Sequence, residues 1–132
     1  MGKNERFKFR AWNKEKRVMS TVHKMFLAYA IEDDLLEVFE SNRYEVMQST
    51  GLRDKNGKLI FEGDILKNTY RSKTAEYEII EYVYWNDKIT AFCTIGTQKK
   101  NGLGELTSPS YSSNYHEIIG NIYENPVLLE GK

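Results

Sequence analysis

The chain has 132 residues, of which 40% are hydrophobic and 29% are charged, and its formal net charge is +0. These values predict one soluble globular domain, long enough to bury a core without disulfide bonds. A net charge of zero excludes a global field that would draw the protein to nucleic acid or to a membrane.

Cysteine usage and hydropathy indicate a cytoplasmic protein. Cys93 is the only cysteine, so the chain cannot form an intramolecular disulfide, and nothing favours an oxidising compartment. The first 24 residues lack the apolar core of a signal peptide. No run approaches the roughly 20 apolar residues that span a bilayer. We therefore expect a cytoplasmic protein without a membrane partner.

The charges are distributed unevenly along the chain. Residues 1–25 contain eight Lys or Arg against two Glu, whereas residues 26–50 contain six acidic residues against one Arg. Two such segments can lie side by side and neutralise each other, or they can form separate basic and acidic patches that bind partners. We favour the first interpretation.

The N-terminal segment has the pattern of a β-hairpin. Apolar residues alternate with polar or aromatic ones over residues 7–12, which is typical of a strand with one apolar face. The polar run 13–16 predicts a turn, and a strand resumes over residues 17–19. In segment 25–40 a short apolar run leaves two structures open, a helix capped by Asp33 or a pair of strands.

The stretch 47–67 is the densest in turn signals and predicts two tight turns between strands. The run 54–57 suits a hairpin, because it begins with an acceptor side chain and ends with a residue that tolerates positive φ. Gly63 makes a second bend, and Asp64 is expected to bond nearby backbone amides. Gly51 is expected in a conformation that a β-carbon would oppose.

The second half of the chain predicts a long hairpin, a loop and a closing strand. Residues 75–85 are the longest strand candidate, and Glu81 marks an expected bulge within it. A two-residue turn leads into a strand over 88–95. Residues 96–114 are rich in Gly and Ser and predict a mobile surface loop, after which residues 116–123 form the last strand.

Several antiparallel strands at short spacing, joined by glycine-containing turns, predict a mostly β fold. We expect a small antiparallel, partly open SH3-like barrel with an N-terminal β-hairpin extension and at most short helices. One domain spans residues 1–132, with the hairpin and a variable segment in 1–43 and the barrel-like core in 44–132. A barrel is favoured because it removes exposed sheet edges.

The residues that could support catalysis or metal binding do not form a recognisable constellation. His23 and His116 lack companions at metal-ligand spacing, and Cys93 alternates with apolar neighbours as a small core residue does. Glu62 and Asp64 could serve as a general acid/base pair, but a turn explains them better. We therefore expect no enzyme activity, no cofactor and no metal.

One set of residues is a candidate interaction surface. Cations cluster around the central turn and after Leu66, with a tyrosine nearby. The first interpretation is a surface that binds nucleic acid. The second is that these are the ordinary solubilising residues of turns and strand edges. Zero net charge favours the second interpretation. Aromatic residues that remain exposed are favoured anchors of protein interfaces. The candidate residues are Trp12, Arg53, Lys55, Lys58, Lys67, Tyr70, Arg71, Lys73, Tyr111 and Tyr115.

Three stretches of the sequence carry a family resemblance. The central stretch MQSTGLRDKNGKLIFEGDIL (47–66) is the longest and most specific of them. With KFRAW (8–12) and IIGNIYENP (118–126), it resembles the YopX family of phage and prophage proteins. The sequence departs from the family pattern at Asn13 and Val127, where an acid is usual, and at Ser49, where an aromatic is usual.

The resemblance implies a mostly β fold with a barrel-like core and a phage or prophage origin, and it implies no reaction. We therefore expect a non-catalytic accessory protein in the cytoplasm of a bacterial host cell, which acts by protein–protein contact and forms a homo-oligomer. Host or phage proteins are the expected partners. The alternative is a small β-barrel that binds nucleic acid, which we favour less.

Overall fold

A computed structural model describes residues 5–21, 40, 42–71, 73–96, 104–105 and 116–130. Within these residues the chain forms nine strands and two short 3₁₀ helices, Glu5–Phe7 and Pro126–Leu129. The strands are β1 (Phe9–Asn13), β2 (Val18–Thr21), β3 (Tyr44–Arg53), β4 (Leu59–Phe61), β5 (Asp64–Arg71), β6 (Glu76–Asn86), β7 (Ala91–Gly96), β8 (Gly104–Glu105) and β9 (His116–Asn121).

The strands form two antiparallel sheets, with the orders β2-β1-β3-β4 and β8-β7-β6-β5-β9. One of the sheets curls into a half-barrel. The predicted mostly β fold with a partly open barrel is therefore confirmed. The predicted N-terminal hairpin is β1 and β2, and β1 also pairs with β3 along its whole length, from Phe9 opposite Gln48 to Asn13 opposite Tyr44. The inner edge of the hairpin is thus covered within one chain.

Both predicted turns contain glycine with positive φ. Gly57 has φ 81° at the tip of the β3–β4 hairpin, and Gly63 has φ 83° between β4 and β5. A Cβ on Gly63 would lie 3.2 Å from the Met47 sulfur, so both the backbone conformation and the space favour glycine there. The Gly63 N–H donates to the Val83 carbonyl, and its own carbonyl accepts from the Ile122 N–H, both at 2.8 Å.

The tip of the β3–β4 hairpin docks on the edge of the second sheet. One Asp54 carboxylate oxygen accepts the N–H groups of Asn56 and Lys58 at 2.9 Å. The other oxygen accepts the N–H of Ile118 in β9 at 3.0 Å. The Lys55 N–H also donates to the His116 carbonyl at 2.9 Å. These bonds satisfy backbone groups on β9 that an open sheet edge would otherwise present to solvent.

The core lies between the two sheets. Its buried residues are Ile60, Leu66, Val83 and Phe92, with exposures of 0 to 7%. Cys93 is 1% exposed, as expected for a small core residue. The central part of β7 is covered on both faces, so alternation alone does not describe its burial.

Two local predictions for the second half are wrong. Glu81 pairs regularly with Leu66 on one side and Gly96 on the other, so it does not mark a bulge. The register shifts occur instead between β3 and β4 and between β5 and β9. The turn after β6 spans residues 87–90, which leaves Ile89 outside the strand and 47% exposed.

Parts of two predicted segments lie outside the described residues. These are residues 25–39, where helix and strands were both open, and most of the predicted mobile loop 96–114. Within that loop, Gly104–Glu105 is β8, which pairs with β7. The described part of the chain contains no helix that is long and apolar enough to cross a membrane.

Replacing Asp54 with Asn tests the docking of the hairpin tip. The carboxylate accepts three backbone N–H groups, whereas the Asn side chain offers one acceptor oxygen and would set its NH₂ group against the remaining donors. Near pH 7 we expect Asp54→Asn to lower the free energy of unfolding by about 1–3 kcal/mol, measured by urea denaturation. Lys55→Ala, in the same turn, should change it by less than about 0.5 kcal/mol.

The loss should depend on pH because the folded-state pKa of Asp54 lies below its ordinary 3.8. Burial alone would raise this pKa. The N–H groups of Ile118, Lys58 and Asn56 donate to the carboxylate, and together they lower the pKa by more than burial raises it. A carboxyl with a lowered pKa contributes stability that is complete above 3.8 and is lost as the pH falls through the folded-state pKa. The difference between wild type and Asp54→Asn should therefore shrink as the pH falls below 3.8, and a constant difference would contradict the assignment.

Candidate functional site

The N-terminal 3₁₀ helix, Glu5–Phe7, is fixed to β3 by side-chain contacts. Glu5 is buried, and its carboxylate forms an ion pair with the guanidinium of Arg53. The Gln48 amide donates to the Arg6 carbonyl at 2.8 Å. These contacts hold the backbone of the helix against the sheet, so that the side chains of Arg6 and Phe7 project from a defined position.

Phe7 and Trp85 are large aromatic residues that both line one surface cleft. Phe7 is 55% exposed and Trp85, near the end of β6, is 41% exposed. The Arg6 guanidinium lies 4.8 Å from the centroid of the Phe7 ring, which is a cation–π distance. Trp85 pairs with Phe92 in the β6–β7 register, and their rings are edge-to-face at 5.0 Å. Each exposed ring is therefore held by a neighbour.

This cleft, named here the Phe7–Trp85 cleft, has a volume of about 390 Å³. This lies near the lower end of the range of roughly 300–1,000 Å³ for ligand pockets. Gln48, Thr50 and Phe92 contribute to its lining, and Arg6 is its only charged lining residue among those that the structure describes. The cleft can accommodate apolar side chains and attract an adjacent negative charge.

A larger groove of about 750 Å³ lies between β2, β4 and β9, and a buried ion pair lines it. A guanidinium nitrogen of Arg10 lies 2.9 Å from an Asp64 carboxylate oxygen. Arg10 also donates to the Glu62 carbonyl at 3.0 Å and lies 4.9 Å from the Phe61 ring centroid. The other Asp64 oxygen accepts the Phe61 N–H at 2.8 Å. This pair joins β1 to the turn at the start of β5.

Burial raises the pKa of three groups around this ion pair. The pKa of Asp64 is raised by burial, against the opposing charge of Arg10. The pKa of Glu62 is raised by burial, against the Gln48 N–H and Arg10. Burial also raises the pKa of the Tyr123 phenol, and the nearby charges of Glu45 and Glu62 raise it further. Desolvation of the charged forms therefore outweighs the single cation in the cluster.

Glu62 and Asp64, considered above as an acid/base pair, both have structural roles in the turn between β4 and β5. The larger groove is lined by Asp64 but not by Glu62 or His116. Each carboxylate accepts a backbone N–H, from Gln48 in the case of Glu62. The described residues contain no group of three or more His, Cys, Asp or Glu side chains that could hold a metal ion.

Trp12, a predicted interface anchor, is buried instead. Its exposure is 7%, and its ring stacks on Tyr123 with centroids 5.7 Å apart. Alternation along the segment assigned Trp12 to the outer face, but β1 is an inner strand with Ala11 also buried at 1%. We therefore correct Trp12 to a core residue.

The predicted cations lie close to acidic residues or at exposed turns. Lys55 and Lys67 both approach the Glu117 carboxylate, at 3.4 and 3.5 Å. Lys58 is exposed on the β3–β4 hairpin, and Lys73 is exposed between β5 and β6. One carboxylate thus lies between two of the lysines proposed to contact phosphates.

The remaining predicted residues lie in β5 or outside the described chain. Tyr70 and Arg71 are the last residues of β5, opposite Tyr77 and Glu76 of β6 in the backbone pairing. Arg53 pairs with Glu5, as described above. Tyr111 and Tyr115 lie outside the described residues.

Two residues of the Phe7–Trp85 cleft were not among the predicted site residues, although both are in the sequence as large aromatics. Phe7 was assigned to the inner face of a strand, but it ends the 3₁₀ helix before β1, where strand alternation does not apply. By alternation along the predicted strand, Trp85 shares a face with the buried Val83, yet it lies one residue before the end of β6 and is 41% exposed. The position of Trp85 at the end of a predicted strand was the available signal.

The family follows from a comparison with known proteins. A family model described as YopX protein matches residues 8–130, which is nearly the whole chain. The chain belongs to the YopX family. The resemblance seen in the sequence is thereby confirmed, and a comparison with curated proteins gives no match.

A solved structure has the same fold as this YopX family member. The crystal structure of protein EF1440 from Enterococcus faecalis matches with a TM-score of 0.52 and 23% sequence identity. The match covers 93% of this chain and 97% of that chain. At this level of identity the likeness establishes a shared fold.

The two tryptophans of the chain provide a matched test of this description. Trp12→Ala should lower the free energy of unfolding by about 3–5 kcal/mol because it removes a buried aromatic side chain. Trp85→Ala removes an exposed ring and one edge-to-face contact, and should cost no more than about 1.5 kcal/mol. Urea denaturation followed by circular dichroism measures both losses. Equal losses, or a larger loss for Trp85→Ala, would show that the two environments are assigned incorrectly.

Proposed function

We propose that this YopX family member is a non-catalytic accessory protein that acts by binding another protein at the Phe7–Trp85 cleft. The observation that carries the proposal is the pair of exposed aromatic residues that line the cleft, with a guanidinium beside one of them. Trp and Arg are enriched among the residues that dominate binding energy at protein interfaces. Exposed apolar surface next to such residues marks interaction sites.

The rigidity of the cleft supports the same proposal. Trp85 is held by Phe92, and the segment that carries Phe7 is held by Gln48 and by the ion pair of Glu5. Association costs free energy for each side chain that it immobilises. Rings that are already held in place reduce that cost, which favours a binding role.

The family resemblance extends the proposal to the origin and location of the protein. It implies that the protein is encoded by a phage or prophage and acts in the cytoplasm of the bacterial host. The partners we propose are a host or phage protein and further copies of the same chain. A zero net charge leaves little repulsion to oppose self-association.

Nucleic-acid binding is the alternative, and it has less support. A phosphate-binding surface needs cations whose charge is available to the nucleic acid. Lys55 and Lys67 lie within 3.5 Å of one carboxylate, and Arg53 pairs with Glu5. These contacts reduce the positive potential of the surface that the sequence suggested, so protein contact is the better-supported function.

Affinity capture with cleft variants tests the proposed function. The tagged wild type, a Phe7→Ser/Trp85→Ser double variant and a Val18→Ser control would be compared in lysate of a bacterial host. Val18 is 50% exposed on β2 and does not line the cleft. Folding of each protein would be checked by circular dichroism.

We expect one specific partner to be retained by the wild type and by Val18→Ser. Its recovery with the double variant should fall about tenfold or more, since loss of a single hot-spot residue costs about 2 kcal/mol. Equal recovery with all three proteins would reject the cleft as the binding site. A specific partner that is instead a nucleic acid, released by nuclease, would favour the alternative.

A further inference from the structure

We infer that the occupant of the Phe7–Trp85 cleft is a second copy of this chain, which inserts its C-terminal 3₁₀ helix, Pro126–Leu129. This inference rests on the proposed function and names the partner of the same site. It is supported by the exposure and anchoring of that helix, by the charges around the helix and the cleft, and by the position of the helix near β6, the strand that contributes Trp85 to the cleft.

The C-terminal helix presents apolar side chains from an anchored base. Val127 is 64% exposed and Leu128 is 37% exposed. The Asn125 N–H donates to the Asn121 carbonyl at 2.9 Å, and the Asn125 side-chain oxygen accepts the Asn121 N–H at 3.2 Å. A Cβ on Gly120 would lie 2.5 Å from that oxygen, so glycine provides the space that Asn125 occupies. The helix is therefore a fixed apolar projection rather than a loose end.

The charges of the helix and the cleft are complementary. Glu124 and Glu130 lie on either side of the helix and are both exposed, and residues 117–131 contain no Lys or Arg. Arg6 is the charged lining residue of the cleft among the described residues. Complementary charge at an interface fixes its register and suppresses wrong partners. Glu124 already accepts a hydrogen bond from the Asn121 side chain at 2.9 Å, so Glu130 is the partner we assign to Arg6.

The helix does not fill the cleft of its own chain, because Val127 and Trp85 are both exposed. It does pack near β6, the strand that carries Trp85. The cleft and the helix are thus both associated with β6. A two-fold axis beside this strand would let each chain place its helix in the cleft of the other. In such an interface every contact is made twice, which is the commonest arrangement of soluble homo-oligomers.

Charge exchange between Arg6 and Glu130 tests this inference. The mass would be measured by light scattering after size exclusion, over a dilution series that starts well above the dissociation constant of the wild type and ends below it. The variants are Arg6→Glu, Glu130→Arg and the double exchange, and Val127→Asp tests the apolar contact. The controls Lys16→Glu and Glu15→Arg make the same charge changes on the exposed turn between β1 and β2. Circular dichroism confirms that each variant is folded.

We expect the wild type, both controls and the double exchange to have the mass of two chains. Each single exchange and Val127→Asp should raise the dissociation constant at least about tenfold, so that the mass falls towards one chain at dilutions where the wild type is still mostly dimeric. The double exchange restores the attraction with the two charges reversed. Recovery of the dimer would therefore show that Arg6 and Glu130 contact each other, and not merely that their charges affect association. Failure of the double exchange to recover, or dimers that persist in the single exchanges and in Val127→Asp, would overturn the inference.

A wild type that has the mass of one chain at tens of micromolar would also overturn the second copy as occupant. The proposed function fails by a different result, since it depends on the loss of a captured partner in Phe7→Ser/Trp85→Ser. A monomeric wild type together with such a loss would reject self-association and leave the cleft as a site for a different protein.

Discussion

The ion pair between Arg10 of β1 and Asp64 of β5 is the interaction on which the arrangement of the two sheets depends. The side chains are only 13% and 3% exposed, and the pair lies where the first sheet ends and the second begins. Arg10 also binds the Glu62 carbonyl, and Asp64 binds the Phe61 N–H, so both sides of the turn are connected to one guanidinium. Removal of either partner would leave a buried charge uncompensated, which is far more costly than the net contribution of the intact pair.

The same turn places the two surfaces that we assign to binding. Gly63 lies between the two acidic residues of the turn, and it bonds to Val83 of β6 and to Ile122, which follows β9. Two residues beyond Val83, β6 presents Trp85, and the chain beyond Ile122 leads to the C-terminal helix. The 3₁₀ helix with Phe7 directly precedes β1, which carries the arginine of the ion pair. The cleft and the helix are therefore built on strands that meet at this turn and its buried ion pair.

Local features of this fold could be predicted from sequence, whereas the cleft could not. The turns at Gly57 and Gly63 depend on positive φ and on acceptor side chains a few residues away, which the sequence displays directly. The exposure of Phe7 depends on the distant ion pair that fixes its helix, and the burial of Trp12 depends on the pairing of β1 with β3. Such contacts join residues more than 30 positions apart, beyond the reach of alternation. The family motif was recognisable because its turns and strand residues are local.

A double-mutant cycle on Arg10 and Asp64 tests most directly whether this pair holds the two sheets together. The cycle compares Arg10→Met, Asp64→Asn and the double variant by urea denaturation. Each single variant should lower the free energy of unfolding by about 3–5 kcal/mol, because it strands the other partner. The double variant should lose less than the sum, with a coupling of about 1–3 kcal/mol. Losses that add within about 0.5 kcal/mol, or single losses below about 1 kcal/mol, would contradict a central role for the pair.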